Sequence, residues 1–247
     1  MPKSKEQLAQ EKQAVARTAL RFVRSGMKLG LGSGSTSHCF IRALGQQVRS
    51  GNLIVEGIAT SKESEEVARE AGIPLIEPAR GLKLDFAVDG ADEMDADLAL
   101  IKGGGGALLR EKVVEHESRY FLVIADSSKL VEKLGAFKVP VEVIPFSLPW
   151  VMDELEALGG KPLQRMEHDR PDRPYVTDQQ NYIVDCDFGL IADPRVLARQ
   201  LEQIPGIAEH GLFVDYANAA LIADGDEVKL LRPGEPPRAL EQFNNLP

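Results

Sequence analysis

Asp89, Asp92, Lys102 and Glu111 are residue types that move protons, and each stands where a strand-like run stops or a helix begins. Asp89-Gly90-Ala91-Asp92-Glu93 closes the run at 84–88, and Lys102 follows the run at 98–101, directly before four glycines at 103–106. Glu111 lies within Arg110-Glu111-Lys112, on the helix expected after those glycines. A partly buried glutamate is suited to remove a proton α to a carbonyl, and a lysine or an N–H group is suited to stabilise the enediolate that develops. Two aspartates nearby could then pass protons between the oxygens. That chemistry needs no redox group and no metal. Taken singly, the DGADE segment also reads as an acidic turn and the REK segment as a solvated helical face. A metal site would recruit Asp95 and Asp97 as well, but the DxDxDG order of a calcium loop is missing and no histidine joins the cluster.

The other chemical signal is Gly30-Leu31-Gly32-Ser33-Gly34-Ser35-Thr36, a glycine loop between a short strand and a helix. Backbone N–H groups at a helix N-terminus bind phosphate, and the macrodipole assists them. The dinucleotide fingerprint GxGxxG is not met, because Ser35 occupies its third glycine position. The next strand ends at Ala59-Thr60-Ser61-Lys62, without the acid that would hold a ribose hydroxyl. A phosphate monoester therefore fits better than a dinucleotide; a serine-capped tight turn is the alternative. Four consecutive glycines lose much chain entropy on ordering. Placed between a strand and a helix, Gly103, Gly104 and Gly105 suit a backbone wrapped closely around a ligand.

These residues require a scaffold that brings four strand ends together, at 27–36, 84–93, 98–112 and 121–129. In an open parallel sheet, ligands bind outside the carboxyl ends of the strands. A helix is expected at 5–24, a strand, glycine loop and second helix across 27–48, and further helices at 61–71 and 107–117, alternating with strands at 53–59, 84–88, 98–101 and 120–125. That alternation predicts βαβ units and an α/β, open, mostly parallel Rossmann-like sheet. Further on, strands at 139–145, 161–167, 182–187 and 211–216 with helices at 148–158 and 194–203 predict a second, smaller α+β unit of ferredoxin-like type. The charged, proline-marked segment 170–174 reads as a turn. The resulting division is 1–130 plus 212–231 for the catalytic α/β domain and 131–211 for the α+β domain. Residues 232–247 are proline-rich and read as a poorly ordered tail.

Composition sets bounds on function. The 247 residues are 43% hydrophobic, enough for one large or two modest cores. The net charge of −9 and the lack of a basic, aromatic-laced patch argue against nucleic acid. Such a field also mildly repels an anionic metabolite, so a phosphate site has to be built locally. Cys39 and Cys186 are far apart in sequence, which indicates neither a disulfide framework nor a thiolate metal site and fits a reducing cytoplasm. The charged N-terminus lacks an apolar signal-peptide core, and no apolar run is long enough to span a bilayer.

GLGSGST, VDGADE, IKGGGGALLREK, VIADSSK and VPVEVIPF, in this order and at these spacings, closely resemble ribose-5-phosphate isomerase of type A. The similarity spans about residues 8–231. It implies interconversion of ribose 5-phosphate and ribulose 5-phosphate through an enediolate, without cofactor, in a cytoplasmic homodimer or homotetramer. The resemblance places the proton-transferring base on Glu111, proton shuttling and ring opening on Asp89 and Asp92, and enediolate stabilisation on Lys102. It places the phosphate on Ser33, Gly34, Ser35, Thr36 and Lys129, with Lys12 as a further approach. Gly90, Ala91, Gly103, Gly104 and Gly105 complete the implied substrate contacts. Gly106 replaces a more usual alanine, and the segment Val214-Asp215-Tyr216-Ala217-Asn218 is less typical. Two rival classes remain open on sequence: a non-catalytic phosphosugar sensor, and an acyl- or CoA-transferase with a glutamate nucleophile. The short helix before Met27 leaves no room for the DNA-binding unit a sensor would attach, and Lys102 beside two aspartates suits enediolate chemistry better than acyl transfer.

Overall fold

The computed structural model describes residues 3–225 and 227–240. In chain order its first half comprises α1 (Lys5–Ala19), β1 (Lys28–Leu31), α2 (Gly34–Arg49), β2 (Glu56–Ala59), α3 (Lys62–Glu70), β3 (Phe86–Asp89), β4 (Glu93–Met94), β5 (Leu100–Ile101), α4 (Leu108–His116) and β6 (Phe121–Asp126). The second half comprises β7 (Val139–Val143), α5 (Leu148–Ala157), β8 (Lys161–Gln164), β9 (Met166–Glu167), β10 (Arg170–Pro174), β11 (Tyr182–Asp187), α6 (Pro194–Leu201), β12 (Ile207–His210), β13 (Leu212–Phe213), β14 (Ala219–Asp224), β15 (Glu227–Leu231) and β16 (Arg238–Ala239).

Seven strands form the main sheet in the order β16-β15-β14-β6-β3-β1-β2. The pairs from β2 across to β14 are parallel, and β15 and β16 add antiparallel edges. Both faces are covered, so the inner strands read as continuous apolar runs: all six residues of β6 are buried. Side chains alternate between faces. Leu122 and Ile124 join a core with Val15, Ala19, Phe40 and Leu44 of α1 and α2, whereas Phe121, Val123 and Ala125 pack with Met94, Leu100 and Phe213. The chain leaves β1 toward β2 on one side and returns to β3 on the other. A crevice opens between the carboxyl ends of β1 and β3, the switch point where such sheets bind ligands.

The smaller unit runs β7-α5-β8-β11-α6-β12, with antiparallel sheet order β12-β7-β11-β8. That is the expected ferredoxin-like split β-α-β arrangement, with its own core of Val141, Val143, Leu155, Val184 and Leu201.

Four expectations need correction. The run at 98–101 does not enter the parallel sheet; β5 pairs antiparallel with β4 and β13 in a separate three-stranded sheet. The link from β4 is too short for a parallel crossover, which takes a dozen or more residues. The expected strand at 211–216 is reduced to Leu212–Phe213, which belongs to the other sheet; the last strand of the smaller unit is β12, which lies upstream and ends at His210. Gly211 is the pivot, because a Cβ there would lie 2.3 Å from the Lys102 carbonyl. Residues 170–174 form a strand rather than a turn, in an exposed ribbon with β9 whose pairing is irregular. Finally, part of the proline-rich tail has structure: β16 pairs with β15, and Leu240 is buried in the main core. Residues 241–247, the rest of that expected tail, lie outside the described residues.

Candidate active site

The crevice between β1 and β3 is built by a close approach. A Cβ on Gly32 would fall 2.1 Å from the Asp89 carboxyl, so only glycine lets β1 end beside that aspartate. Asp89 is 1% exposed, and its Oδ1 accepts hydrogen bonds from Ser33 N (3.0 Å), Ser37 Oγ (2.7 Å) and Gly90 N (2.7 Å). The same turn starts α2, a 16-residue helix whose first N–H groups carry its positive end. The Ser33 hydroxyl is already engaged with Thr60 Oγ1 (2.7 Å) and Ser61 Oγ (2.8 Å). What faces outward at the helix start is therefore backbone N–H, the hydroxyls of Ser35 and Thr36, and two lysines. Lys12 Nζ donates to Ser35 Oγ at 3.0 Å, and Lys129 lines the same opening.

Lys102 comes from the end of β5 and is 2% exposed. Its Nζ donates to Gly90 O (2.6 Å) and lies 2.9 Å from Asp89 Oδ2, 3.3 Å from Glu115 Oε1 and 3.8 Å from Glu111 Oε1. The rings of Phe213 and Phe121 flank it at 5.5 and 6.0 Å. Burial works to lower its pKa, but Asp89, Glu111 and Glu115 outweigh that and hold the ammonium above its ordinary range. Glu111, on the first turn of α4, is 6% exposed. Burial pushes its carboxyl up to about 8, with Lys102 opposing the rise and Asp89 and Asp92 adding to it. Asp92 stands at the mouth and accepts Gly104 N at 2.7 Å, tying the β3 turn to the glycine loop.

A cavity of about 150 Å³ gathers these elements. Ser33, Gly34, Ser35, Thr36, Gly90, Ala91, Asp92, Lys102, Gly103, Gly104, Gly105, Glu111 and Lys129 all line it, together with Lys12. Asp89 lies behind the wall, against Lys102. A basic carboxyl, a buried ammonium and an anion-accepting helix start thus share one enclosure. Among the described residues, no group of three or more His, Cys, Asp or Glu side chains is arranged to hold a metal ion.

Comparison with known proteins gives this geometry its context. The family model described as ribose 5-phosphate isomerase A (phosphoriboisomerase A) matches residues 56–227. Ribose-5-phosphate isomerase A 1 of Oceanobacillus iheyensis is 44% identical over 217 residues, covering 88% of this chain and 96% of that protein. The chain belongs to the ribose 5-phosphate isomerase A family. The Thermosynechococcus vestitus ribose-5-phosphate isomerase A is 47% identical over 90% of this chain and 94% of its own. Among solved structures, the Methanocaldococcus jannaschii ribose 5-phosphate isomerase A superposes with a TM-score of 0.86 at 40% identity, covering 93% of this chain and all of that one. A D-ribose-5-phosphate isomerase in complex with phospho-erythronic acid gives 0.88 at 37% identity, covering 91% and 99%.

Two side chains outside the family motifs that the sequence displayed also shape the site. Arg165, at the end of β8, donates from Nη1 to Gly103 O (3.1 Å) and Gly104 O (3.0 Å), while its other nitrogens grip Asp185. Tyr175 donates to Gly105 O at 3.0 Å and lies against the Arg165 guanidinium, 5.7 Å from it. The smaller unit thus holds the loop's carbonyls. Nothing in the sequence announced this, because both residues lie just past the ends of weakly patterned strands, far from the glycines. Glu115 was missed for another reason: one turn beyond Glu111, it reads as solvated helix, yet it is 3% exposed.

Proposed function

We propose that this protein interconverts D-ribose 5-phosphate and D-ribulose 5-phosphate, with Glu111 as the base. The observation that carries this reading is that Glu111 and Lys102 share one cavity with the N-terminus of α2. The phosphate is assigned to the N–H groups at Gly34, Ser35 and Thr36, with Lys12 and Lys129 as counter-charges. That leaves the open-chain aldehyde end over Lys102. Glu111 takes the proton from C2, the C2–H electrons form the C1–C2 double bond, and the former carbonyl electrons move onto O1. Lys102 and the glycine-loop N–H groups stabilise that oxygen. Asp92 passes a proton between O1 and O2, and Glu111 returns its proton to C1, leaving the ketone at C2. Asp89 holds Lys102 in place and, with Asp92, assists ring opening. A positioned base contributes ~10²–10⁴-fold and an oxyanion donor ~10²–10³-fold. Cofactor-free turnover is part of the proposal.

Phospho-erythronic acid, the compound in the related structure, joins a phosphate to a carboxylate that resembles the enediolate in charge. It should compete with substrate here. The deciding experiment is a coupled assay of ribose 5-phosphate conversion with EDTA present. Full activity is expected; dependence on added metal would defeat the mechanism. No observation favours the non-catalytic sensor reading.

The finer partner and location assignments also belong to this proposal: a homodimer or homotetramer working in the cytoplasm. Support for assembly comes from Phe146 and Trp150, ring-stacked edge to face yet 81% and 61% exposed. Light scattering on the eluted protein tests it. Among the described residues no helix is long and apolar enough to cross a membrane. The domain division at 131 and 212 is likewise proposed, supported by the separate four-stranded sheet; the core beneath that sheet also takes in Ala99, Ile101 and Leu212 from the larger unit.

A further inference from the structure

Glu115 is a buried carboxyl for which the reaction outlined above has no use. It lies on α4 four residues after Glu111, on the same helix face. Its Oε1 is nearer to Lys102 Nζ than that of Glu111, 3.3 against 3.8 Å. Glu115 does not line the cavity. Beyond the ion pair of Oε1 with Lys102, neither of its carboxyl oxygens has a hydrogen-bond donor among the described residues, and nor does Glu111 Oε2. Buried acceptors left without donors are costly. Three buried carboxylates around one ammonium would also leave negative charge uncompensated.

One proton on Glu115 eases both difficulties, turning one of its acceptors into a donor and removing one of the three negative charges. Asp89 is within its hydrogen-bonding reach. The groups that face Glu115 are Asp89 from β3, Lys102 from β5, Glu111 and Lys112 from α4 and Tyr216 after β13. Burial pushes Glu115 well above the ordinary carboxylate range; Lys102 opposes the rise, while Asp89 and Glu111 add to it.

We propose that Glu115 is a positioning residue, a neutral carboxylic acid that donates to Asp89 and closes the inner side of the Lys102 ammonium. Lys102 and Glu111 are thereby turned to the substrate with Lys102 charged and Glu111 free to ionise. The kinetic part of this inference rests on the isomerase reading; the protonation part does not.

The test joins infrared spectroscopy near neutral pH with kinetics across pH, on wild type, Glu115→Gln and Glu115→Ala. The Gln variant should lose one protonated-carboxyl C=O band. Because it keeps the shape and a donor toward Asp89, its kcat should stay within about 2-fold and its acid limb of kcat/KM should not move. In the Ala variant, kcat should fall about 10-fold or more with KM within about 2-fold. Its acid limb should move to lower pH, because water entering the vacated space relieves the burial that raises Glu111. Absence of a lost band, or a Gln variant as impaired as Ala, would mean an ionised Glu115 and overturn the proposal. So would an Ala variant with wild-type kcat, or one impaired with its acid limb unmoved, which marks a packing defect. If the Ala variant does not fold, the band and the kinetics of the Gln variant decide. An inactive wild type would sink the functional reading, and the infrared result would still judge Glu115.

Discussion

A base that removes a carbon-bound proton has to be strong, yet ionised at the working pH. Glu111 meets both demands through opposed surroundings: burial raises its carboxyl and Lys102 restrains the rise, leaving it at about 8. The free enzyme's essential base governs the acid limb of kcat/KM. That limb should therefore lie at about 8, with activity falling as pH drops and the carboxyl takes a proton. A limb at the ordinary carboxylate value would take the base role away from this buried residue. Glu111→Gln should lower kcat by at least ~10²-fold with little change in KM; a variant at full rate would have the same consequence. Lys102 is a poorer probe. Removing one partner of a buried ion pair destabilises by about 3–5 kcal/mol, so Lys102→Met confounds folding with chemistry. Asp89, Asp92, Lys102 and Glu111 were all legible in the sequence, because each ends a strand or follows the glycines. Their mutual distances were not, since these depend on Gly32 and on the separate sheet that carries Lys102.

The glycine loop between β5 and α4 is shaped from outside. Arg165 and Tyr175 hold three successive carbonyls, and Gly104 N reaches Asp92. The peptide planes are thus fixed before substrate arrives, as preorganised donors must be. Tyr175→Phe removes one hydrogen bond, and kcat/KM should fall by roughly 2–10-fold, the equivalent of about 0.5–1.5 kcal/mol. Arg165→Met should lose more. Arg165→Lys should not restore it, because an ammonium cannot grip Asp185 with two nitrogens while reaching two carbonyls. An Arg165→Met enzyme with unchanged kcat/KM would show that the loop holds itself through Asp92 alone. Sequence reading fared unevenly at this level, for physical reasons. β6 and β7 are buried on both faces and announce themselves as apolar runs, whereas β10 carries no apolar residue. Near Gly211 the hydrophobic pattern continues while the chain passes between two sheets, and no periodicity reports a change of partner.

Concentrating ionisable groups in one buried site makes the stability of the entire chain depend on pH, in opposite senses on the two sides. On the acid side, burial drives His210 down to about 3, with Lys112 adding to the effect. Unfolded chains take up that proton near the ordinary histidine value of 6.5, so the stability His210 contributes above that value is lost as pH falls toward about 3. Glu11 acts in the same sense. Burial raises it, but hydrogen bonds from Gly225 N, Lys3, Ser127 N and Ser127 Oγ hold it below its ordinary range. Glu111 acts in reverse. Its folded value is raised from 4.5 to about 8, so above 4.5 the unfolded chain binds fewer protons than the native one and stability declines until about 8. The base is therefore kept at the expense of stability, as functional groups often are. Melting temperatures of wild type and Glu111→Gln should be compared at about pH 5 and about pH 8. The variant should be the more stable, and its advantage should widen at the higher pH, where wild type carries a buried carboxylate and the variant carries none. A gap that stayed constant or narrowed would mean that Glu111 ionises as readily in the native protein as in the unfolded chain, and the strong base inferred from its burial would not exist.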